Sequence, residues 1–268
     1  MTLRLESVSY RYAGSTKPVL RDVSVTLEAG RVVSVTGRSE SGKSTLCLVA
    51  SGLAPGVIGG TVDGLVELDG RDARGLPQHV LAQSCGILFQ NPTTQLSRTA
   101  RTVWEEIAFG PCNLGLAVAD VVERVESTAE TLAIGGLLRR DPTRLSGGQA
   151  QLVALAAVLA LRPPHVVLDE PTSQLDPLGT RLVGETLARL AASGTVAILI
   201  VEQKPELLAA LADELIVLDG GKVVRSGPTA AVQRDPSIAE LGVEPPAAVR
   251  IERLAIAAGI RLEDGFAP

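Results

Sequence analysis

The stretch "GRSESGKS", residues 37–44, decides the fold of this 268-residue chain. It fits the pattern GxxxxGK[ST] and lies between an apolar run and a stretch that is expected to be helical. In such a loop the backbone N–H groups surround an anion, Lys43 reaches the β- and γ-phosphates of a nucleotide, and Ser44 can hold Mg²⁺. The sequence therefore predicts a phosphate-binding loop that leads into a helix near Lys43.

The whole loop is assigned to nucleotide binding, although one residue in it is unusual. Glu40 stands where a glycine is common, and it places a carboxylate near the phosphates. Lysine is rare in this chain, with four in total, so a lysine at the position that the motif requires strengthens the assignment. The predicted nucleotide-binding residues of the loop are Gly37, Arg38, Ser39, Glu40, Ser41, Gly42, Lys43, Ser44 and Thr45.

Two kinds of apolar pattern predict two kinds of sheet. The first 36 residues alternate between apolar and polar side chains, which is typical of half-buried antiparallel strands. Short, nearly all-apolar runs indicate strands buried on both faces of a parallel sheet. These runs are "RVVSVTG", "CGILFQ", "HVVLDE" and "VAILIVEQ". We therefore predict an α/β fold with a parallel core sheet and an N-terminal antiparallel β subdomain.

The remaining patterns predict how the chain is divided into domains. The helical spacing of "ADVVERVESTAETL" predicts a helical subdomain, residues 91–143, inserted into a domain of residues 1–227 and broken at "GPCNLG". Prolines and the helical run "AAVRIERLAIAAG" predict a small C-terminal extension over residues 228–268.

Composition excludes several classes of protein. The formal net charge is -5 and aromatic residues make up 2% of the chain, so general nucleic-acid binding is disfavoured. The longest apolar stretch, residues 152–161, is well short of the ~20 residues that a membrane-spanning helix needs. The N-terminus lacks the apolar segment of a signal peptide, so we expect a soluble, cytosolic chain. Three cysteines without CxxC spacing favour neither a disulfide framework nor a zinc site.

Two further motifs complete the predicted site. "VVLDEP", residues 166–171, is an apolar strand that ends in two carboxylates: Asp169 suits the Mg²⁺ shell, and Glu170 can orient and deprotonate an attacking water. "LSGGQ", residues 145–149, offers a hydroxyl and exposed N–H groups at a helix start. If the sheet lies between them, the LSGGQ segment cannot reach the nucleotide at the phosphate-binding loop of the same chain. We therefore expect it to bind the nucleotide of another molecule. Its residues are Ser146, Gly147, Gly148 and Gln149.

The phosphate-binding loop, Gln90, "LSGGQ" and "VVLDEP" follow one another in the order and spacing of the ABC ATPase family, which the chain resembles over about residues 3–227. The resemblance implies that two cassettes enclose two ATP molecules, each bound by the phosphate loop of one subunit and the LSGGQ of the other. It also implies that Tyr12 stacks on adenine, that Gln90 contacts Mg²⁺ and the membrane partner, and that Asp176 communicates across the dimer. ATP and Mg²⁺ are the expected cofactors, and a second ABC ATPase subunit, in a heterodimer or a homodimer, is the expected partner.

Within that family, "LFQNPTTQLSRTARTVWEEIAFGPCNLGL", residues 88–116, is similar to the cobalt-type and energy-coupling factor ATPases. This resemblance implies an importer of a vitamin or a metal ion, with the chain at the cytoplasmic face of the membrane. The implied partners are a transmembrane coupling subunit and a separate substrate-binding membrane protein. We expect residues 90–116 to form a groove for a short helix of the membrane partner, with Trp104, Ile107 and Phe109 as its apolar side chains.

A soluble ABC-type ATPase that acts on DNA or on the ribosome is the alternative. The DNA-repair class needs a long coiled coil between Gln90 and the LSGGQ motif, and the sequence has no room for one there. The ribosome-associated class carries two cassettes and a basic linker, and neither is seen in this sequence.

The strand tip "VEQ", residues 201–203, departs from the family pattern. The family normally has a histidine here, whose imidazole contacts the γ-phosphate and positions the water and the glutamate. In this chain Gln203 takes that place beside Glu202, and the histidines, His79 and His165, lie elsewhere. The resemblance thus implies three catalytic residues, Glu170, Gln203 and Gln90, and three Mg²⁺ ligands, Ser44, Gln90 and Asp169. We expect the chain's own site to be degenerate and slow. In addition, Leu152 replaces the arginine that usually follows LSGGQ.

Overall fold

The computed structural model describes residues 1–258, which form ten strands and ten α-helices. The strands are β1 (Thr2–Arg11), β2 (Leu20–Glu28), β3 (Val32–Thr36), β4 (Thr61–Leu68), β5 (Arg71–Asp72), β6 (Cys85–Leu88), β7 (His165–Asp169), β8 (Ala197–Val201), β9 (Glu214–Asp219) and β10 (Lys222–Pro228). The helices are α1 (Lys43–Ala50), α2 (Leu53–Gly56), α3 (Gln78–Ser84), α4 (Val103–Asn113), α5 (Val118–Thr131), α6 (Gly147–Leu159), α7 (Pro177–Ala192), α8 (Pro205–Leu211), α9 (Thr229–Arg234) and α10 (Ala247–Ala257).

None of these described helices is both long enough and apolar enough to cross a membrane.

The core sheet has six strands in the order β10-β9-β3-β8-β7-β6. The pairs β3 with β8, β3 with β9, β7 with β8, and β6 with β7 are parallel, whereas β10 pairs antiparallel with β9. Every residue of β3, β7 and β8 is buried, because α1 and the strands β1 and β2 cover one face of the sheet and α6 and α7 cover the other. The four apolar runs thus form the parallel core as predicted. Because parallel strands point the same way, β3, β7 and β8 end at one edge of the sheet, and this edge carries the site.

The second sheet is antiparallel, with the order β2-β1-β4-β5. The alternation of the first 36 residues correctly predicts β1 and β2, but it gives no sign of β4 and β5. In β4 the alternating pattern is interrupted at Gly64, which has a φ of +89° and faces the backbone of Ser7. Strands β9 and β10 were also not predicted from the sequence.

The predicted helical subdomain, residues 91–143, contains α4 and α5, and its status as a separate subdomain stays a prediction. These two helices share one apolar cluster with α6, β6, β7 and β8. Thr102 and Glu105 form a capping box at the start of α4. The predicted break at "GPCNLG", residues 110–115, is confirmed, because α4 continues through Pro111 but ends at Asn113, inside this stretch. The chain turns only afterwards, where Gly115 adopts a φ of +73°.

Residues 232–243 pack against β9 of the core sheet. Val232, Ile238 and Val243 lie in one buried cluster with Leu215 and Val217 of β9. The boundary predicted after residue 227 falls within β10, so the division into a domain and an extension stays a prediction. The helix predicted in the extension is present as α10, and the predicted extension's residues 259–268 lie outside the described residues.

Candidate active site

The phosphate-binding loop connects β3 to α1 and is shaped by its backbone. A Cβ atom on Gly37, which has a φ of +143°, would lie 2.0 Å from the carbonyl oxygen of Leu218. Gly42 precedes α1 with a φ of 103°, in the left-handed region that favours glycine. Helix α1 begins at Lys43, as predicted, so its positive end faces the loop.

Lys43 is 7% exposed and is hydrogen-bonded within the loop. Its Nζ donates to the carbonyl oxygen of Gly37 at 2.8 Å and to that of Arg38 at 2.7 Å. Burial lowers the pKa of Lys43, although the carboxylates of Glu170 and Asp169 oppose the shift. Glu170, which follows β7, lines the same cavity as Lys43, so the loop and the end of β7 belong to one site.

The loop and β7 together supply oxygen atoms of the kind that Mg²⁺ prefers. Burial raises the pKa of Asp169, while a hydrogen bond from Ser44 opposes the rise. The hydroxyl of Ser41 is buried and has no hydrogen-bond partner among the described residues. This hydroxyl lies beneath the loop, 3.2 Å from where a Cβ on Gly37 would be, so the fit to Mg²⁺ rests on the oxygens of Ser44 and Asp169.

The loop opens into a cavity of about 490 Å³. Glu40 lines it with an exposed side chain and a φ of 64°, so this carboxylate faces solvent at the edge of the site. The other lining residues are Val19, Ser39, Gly42, Lys43, Ser44, Thr45, Gln90, Glu170 and Gln203. Neither of the two histidines is among them: His79 lies in α3, and His165 begins β7 at the opposite end from Asp169.

Glu170 lies between two amide side chains at the edge of this cavity. Gln90 Nε2 donates to Glu170 Oε2 at 2.9 Å, and Gln203 Nε2 donates to Glu170 Oε1 at 2.7 Å. Both oxygens of the carboxylate therefore accept a hydrogen bond from a neutral donor. The structure brings together the three residues that were predicted to be catalytic.

The residues on either side of Gln203 were not assigned a role from the sequence. Glu202 is 3% exposed and contacts the hydroxyl of Thr172, and Lys204 contacts the carbonyl oxygen of the same residue. The sequence signal for Glu202 is an acid at the end of an apolar strand. Such an acid occurs in many sheets and does not by itself indicate a role.

The LSGGQ segment forms a separate helix start. Ser146 caps α6 by accepting a hydrogen bond from the backbone N–H of Gln149, whose side chain bonds back to the backbone N–H of Ser146. A Cβ on Gly147 would lie 2.9 Å from Oε1 of Gln174, and one on Gly148 would lie 3.0 Å from the carbonyl oxygen of Gln174. None of residues 146–149 lines the cavity of the phosphate loop.

Tyr12 lies beside the first turn of α1. Its hydroxyl is 3.0 Å from Oγ1 of Thr45, and its ring packs edge to face on Tyr10 at a centroid distance of 4.9 Å. Tyr12 thus lies close to the loop, and its stacking on an adenine stays a prediction.

The predicted coupling groove needs one correction. Ile107 has no exposed surface and belongs to the core of the helical subdomain, so it cannot contact a partner. It faces inward because α4 packs this side against α6. Trp104 is only partly buried, and Phe109 is 47% exposed.

Comparison with known proteins gives consistent matches. The ABC transporter family matches residues 20–173. A putative ABC transporter ATP-binding protein of Methanosarcina mazei is 39% identical over 254 residues, which cover 94% of this chain and 43% of the relative. The energy-coupling factor transporter ATP-binding protein EcfA of Methanosarcina acetivorans is also 39% identical over 254 residues, covering 94% of this chain and 89% of that protein.

Among solved structures, cbiO1 from Clostridium perfringens, described as part of the ABC transporter complex cbiONQ, superposes with a TM-score of 0.76. It is 26% identical in sequence, and the match covers 96% of this chain and 98% of that one. The chain spans less than half the length of the Methanosarcina mazei relative. The match to the family extends over more than half of the chain, and the chain belongs to the ABC transporter family of ATPases.

Proposed function

We propose that this chain binds and hydrolyses ATP to drive an energy-coupling factor importer of a vitamin or a metal ion, and that its own site is slow. The proposal of a slow site is carried by one contact. The amide of Gln203 lies 2.7 Å from Glu170, at the position after β8 where the family pattern has a histidine.

ATP binding is supported by the loop residues. Lys43 donates to two loop carbonyls, and the same ammonium group can turn to the β- and γ-phosphates. Ser44, Asp169 and the amide oxygen of Gln90 are the groups that would hold Mg²⁺. When bound, Mg²⁺ neutralises charge that develops on the phosphate oxygens.

The slow rate follows from the chemistry of an amide. Gln203 can donate one hydrogen bond to the γ-phosphate, but it cannot carry the positive charge of an imidazolium. The loss of one optimised donor to a transition state typically costs on the order of 10²–10³ in rate. Glu170 is present as a base, so hydrolysis continues at a reduced rate.

The importer assignment is supported by the relatives, since one is named as an energy-coupling factor ATPase and another as part of an ABC transporter complex. The chain would lie at the cytoplasmic face of the membrane, with a transmembrane coupling subunit and a substrate-binding membrane protein. It would lend Ser146–Gln149 to the nucleotide of a second cassette whose own histidine is intact. The separate location of this segment, away from the chain's own cavity, agrees with such a role.

Co-purification with the coupling subunit tests the importer assignment. Phe109→Glu places a charge on an exposed apolar side chain of α4, and Val118→Glu is the matched control because Val118 is 79% exposed on α5. We expect Phe109→Glu to lose the coupling subunit and Val118→Glu to keep it, with ATP binding intact in both. If Phe109→Glu kept the complex, the proposed docking surface would be refuted. If the wild-type chain fractionated with ribosomes or DNA instead of membranes, the proposed role in transport would be refuted.

A further inference from the structure

The residues Glu202, Gln203 and Lys204 follow β8, and all three contact the turn 170–172 that follows β7. Gln203 reaches the side chain of Glu170, as described above. The other two reach Thr172, which has no exposed surface. We refer to the contacts of Glu202 and Lys204 with Thr172 as the Thr172 clamp.

Glu202 connects the side chain of Thr172 to the backbone of Gln203. The hydroxyl of Thr172 donates to Oε2 of Glu202. Oε1 of Glu202 accepts from the backbone N–H of Gln203 at 2.8 Å and from that of Lys204 at 3.3 Å. A buried carboxylate is stable only when its oxygens are hydrogen-bonded, so Glu202 strongly favours this arrangement of its neighbours.

Lys204 forms the second half of the clamp. Its Nζ donates to the carbonyl oxygen of Thr172 at 2.9 Å and to Oγ1 of Thr180 at 2.8 Å. Thr180 lies in the first turn of α7, so the ammonium group ties the turn 170–172 to a rigid helix. Hydrogen bonds from a charged donor are about twice as strong as those between neutral groups.

We propose that Glu202 and Lys204 are positioning residues that act through Gln203, because the Thr172 clamp holds the Gln203 amide against the Glu170 carboxylate. This inference rests on the proposed function, since it explains how an amide is kept in place for slow hydrolysis. Of residues 202–204, only Gln203 lines the cavity, so the clamp has no direct contact with the reacting atoms. A glutamine side chain has three rotatable bonds, and a fixed backbone on both sides restricts where its amide can reach.

The variants Thr172→Val and Thr172→Ser form a matched pair that tests the clamp. Valine keeps the shape of threonine but removes the hydroxyl, whereas serine keeps the hydroxyl. Because misplacement of a reacting group by 1 Å can cost about 10²-fold, we expect Thr172→Val to lower kcat for ATP by about 10-fold to 100-fold, with KM changed less than about twofold. Thr172→Ser should keep most of the wild-type kcat.

A double-mutant cycle separates positioning from general stability. In a Gln203→Ala background, Thr172→Val should cause no further loss of kcat, because the residue through which the clamp acts is already gone. Lys204→Met should likewise cause no further loss of kcat in the Gln203→Ala background, and Lys204→Arg is its conservative control. This second pair of variants replaces the first if Thr172→Val does not fold. An unchanged kcat in both Thr172→Val and Lys204→Met, or equal further losses in the Gln203→Ala background, would overturn the proposal.

Hydrogen exchange tests the clamp without relying on hydrolysis. In nucleotide-free protein, the backbone amides of Gln203 and Lys204 should exchange at least about tenfold faster in Thr172→Val than in Thr172→Ser, because they lose their ordered acceptor. Equal exchange in the two variants would overturn the clamp. If the wild type hydrolyses ATP no faster than Glu170→Gln, the proposed function fails, and the exchange rates still decide whether the clamp exists.

Discussion

The phosphate-binding loop and the catalytic edge lie side by side, but different parts of the chain hold them in shape. The loop, residues 37–45, depends on backbone geometry, because a side chain on Gly37 would collide with the backbone of Leu218. The catalytic edge, which is formed by residues 170–172 and 202–204, depends on side-chain hydrogen bonds between groups far apart in sequence. The backbone-shaped loop leaves one complete local motif, whereas the edge leaves a motif for Glu170 alone and none for the contacts of Thr172 with Glu202 and Lys204.

The largest effect is expected from a change in the loop. Lys43→Ala removes the ammonium group that is buried beside Asp169 and Glu170, and it should abolish ATP binding measured by calorimetry. Lys222→Ala is the control, since Lys222 is exposed at the start of β10. An unchanged ATP affinity in Lys43→Ala would show that the loop does not hold the nucleotide.

A change at the catalytic edge should separate binding from hydrolysis. Glu170→Gln removes the proposed base but keeps the shape of the side chain, so ATP affinity should be retained while hydrolysis falls by about 10²-fold or more. The exposed Glu126 of α5 provides the control variant Glu126→Gln. If Glu170→Gln hydrolyses ATP at the wild-type rate, another group must activate the water.

The difference between the two regions also explains what the sequence could predict. The loop, the start of α1 and the four core strands follow from local patterns, and the structure contains all of them. The alternating pattern does not indicate β4, because Gly64 interrupts it, whereas β9 contains an apolar run, residues 215–218, of the same kind as the four predicted strands. The sequence pattern wrongly places Ile107 in a surface groove, because a helical pattern does not show which apolar side chain packs against a neighbouring helix.

The catalytic edge was only partly predictable. Glu170 and Gln203 could be found because they end apolar strands, and Gln90 because it matches a family position. Glu202 and Lys204 could not be assigned, since their partner Thr172 lies 30 residues or more away in the chain. Such pairings exist only once β7 and β8 are placed next to each other in the sheet.

A smaller effect is expected at two capping boxes, Ser146 with Gln149 at the start of α6 and Thr102 with Glu105 at the start of α4. Ser146→Ala and Thr102→Ala should each lower the free energy of unfolding by about 1 kcal/mol, because each leaves a helix N–H without its acceptor. Chemical denaturation measures this loss. Only Ser146→Ala should also reduce ATP hydrolysis in the complex with a partner cassette, and an equal reduction by Thr102→Ala would assign the effect to stability alone.

The central claim is that Gln203 makes the chain's own site slow, and steady-state ATP hydrolysis by Gln203→His tests it most directly. The rate is measured for the wild type alone, for Gln203→His alone, and for each in complex with the partner cassette. An imidazole at this position should raise the rate of the isolated chain by tenfold or more, which corresponds to about 1.4 kcal/mol of transition-state stabilisation. A fast wild-type homodimer that gains nothing from Gln203→His would contradict the claim.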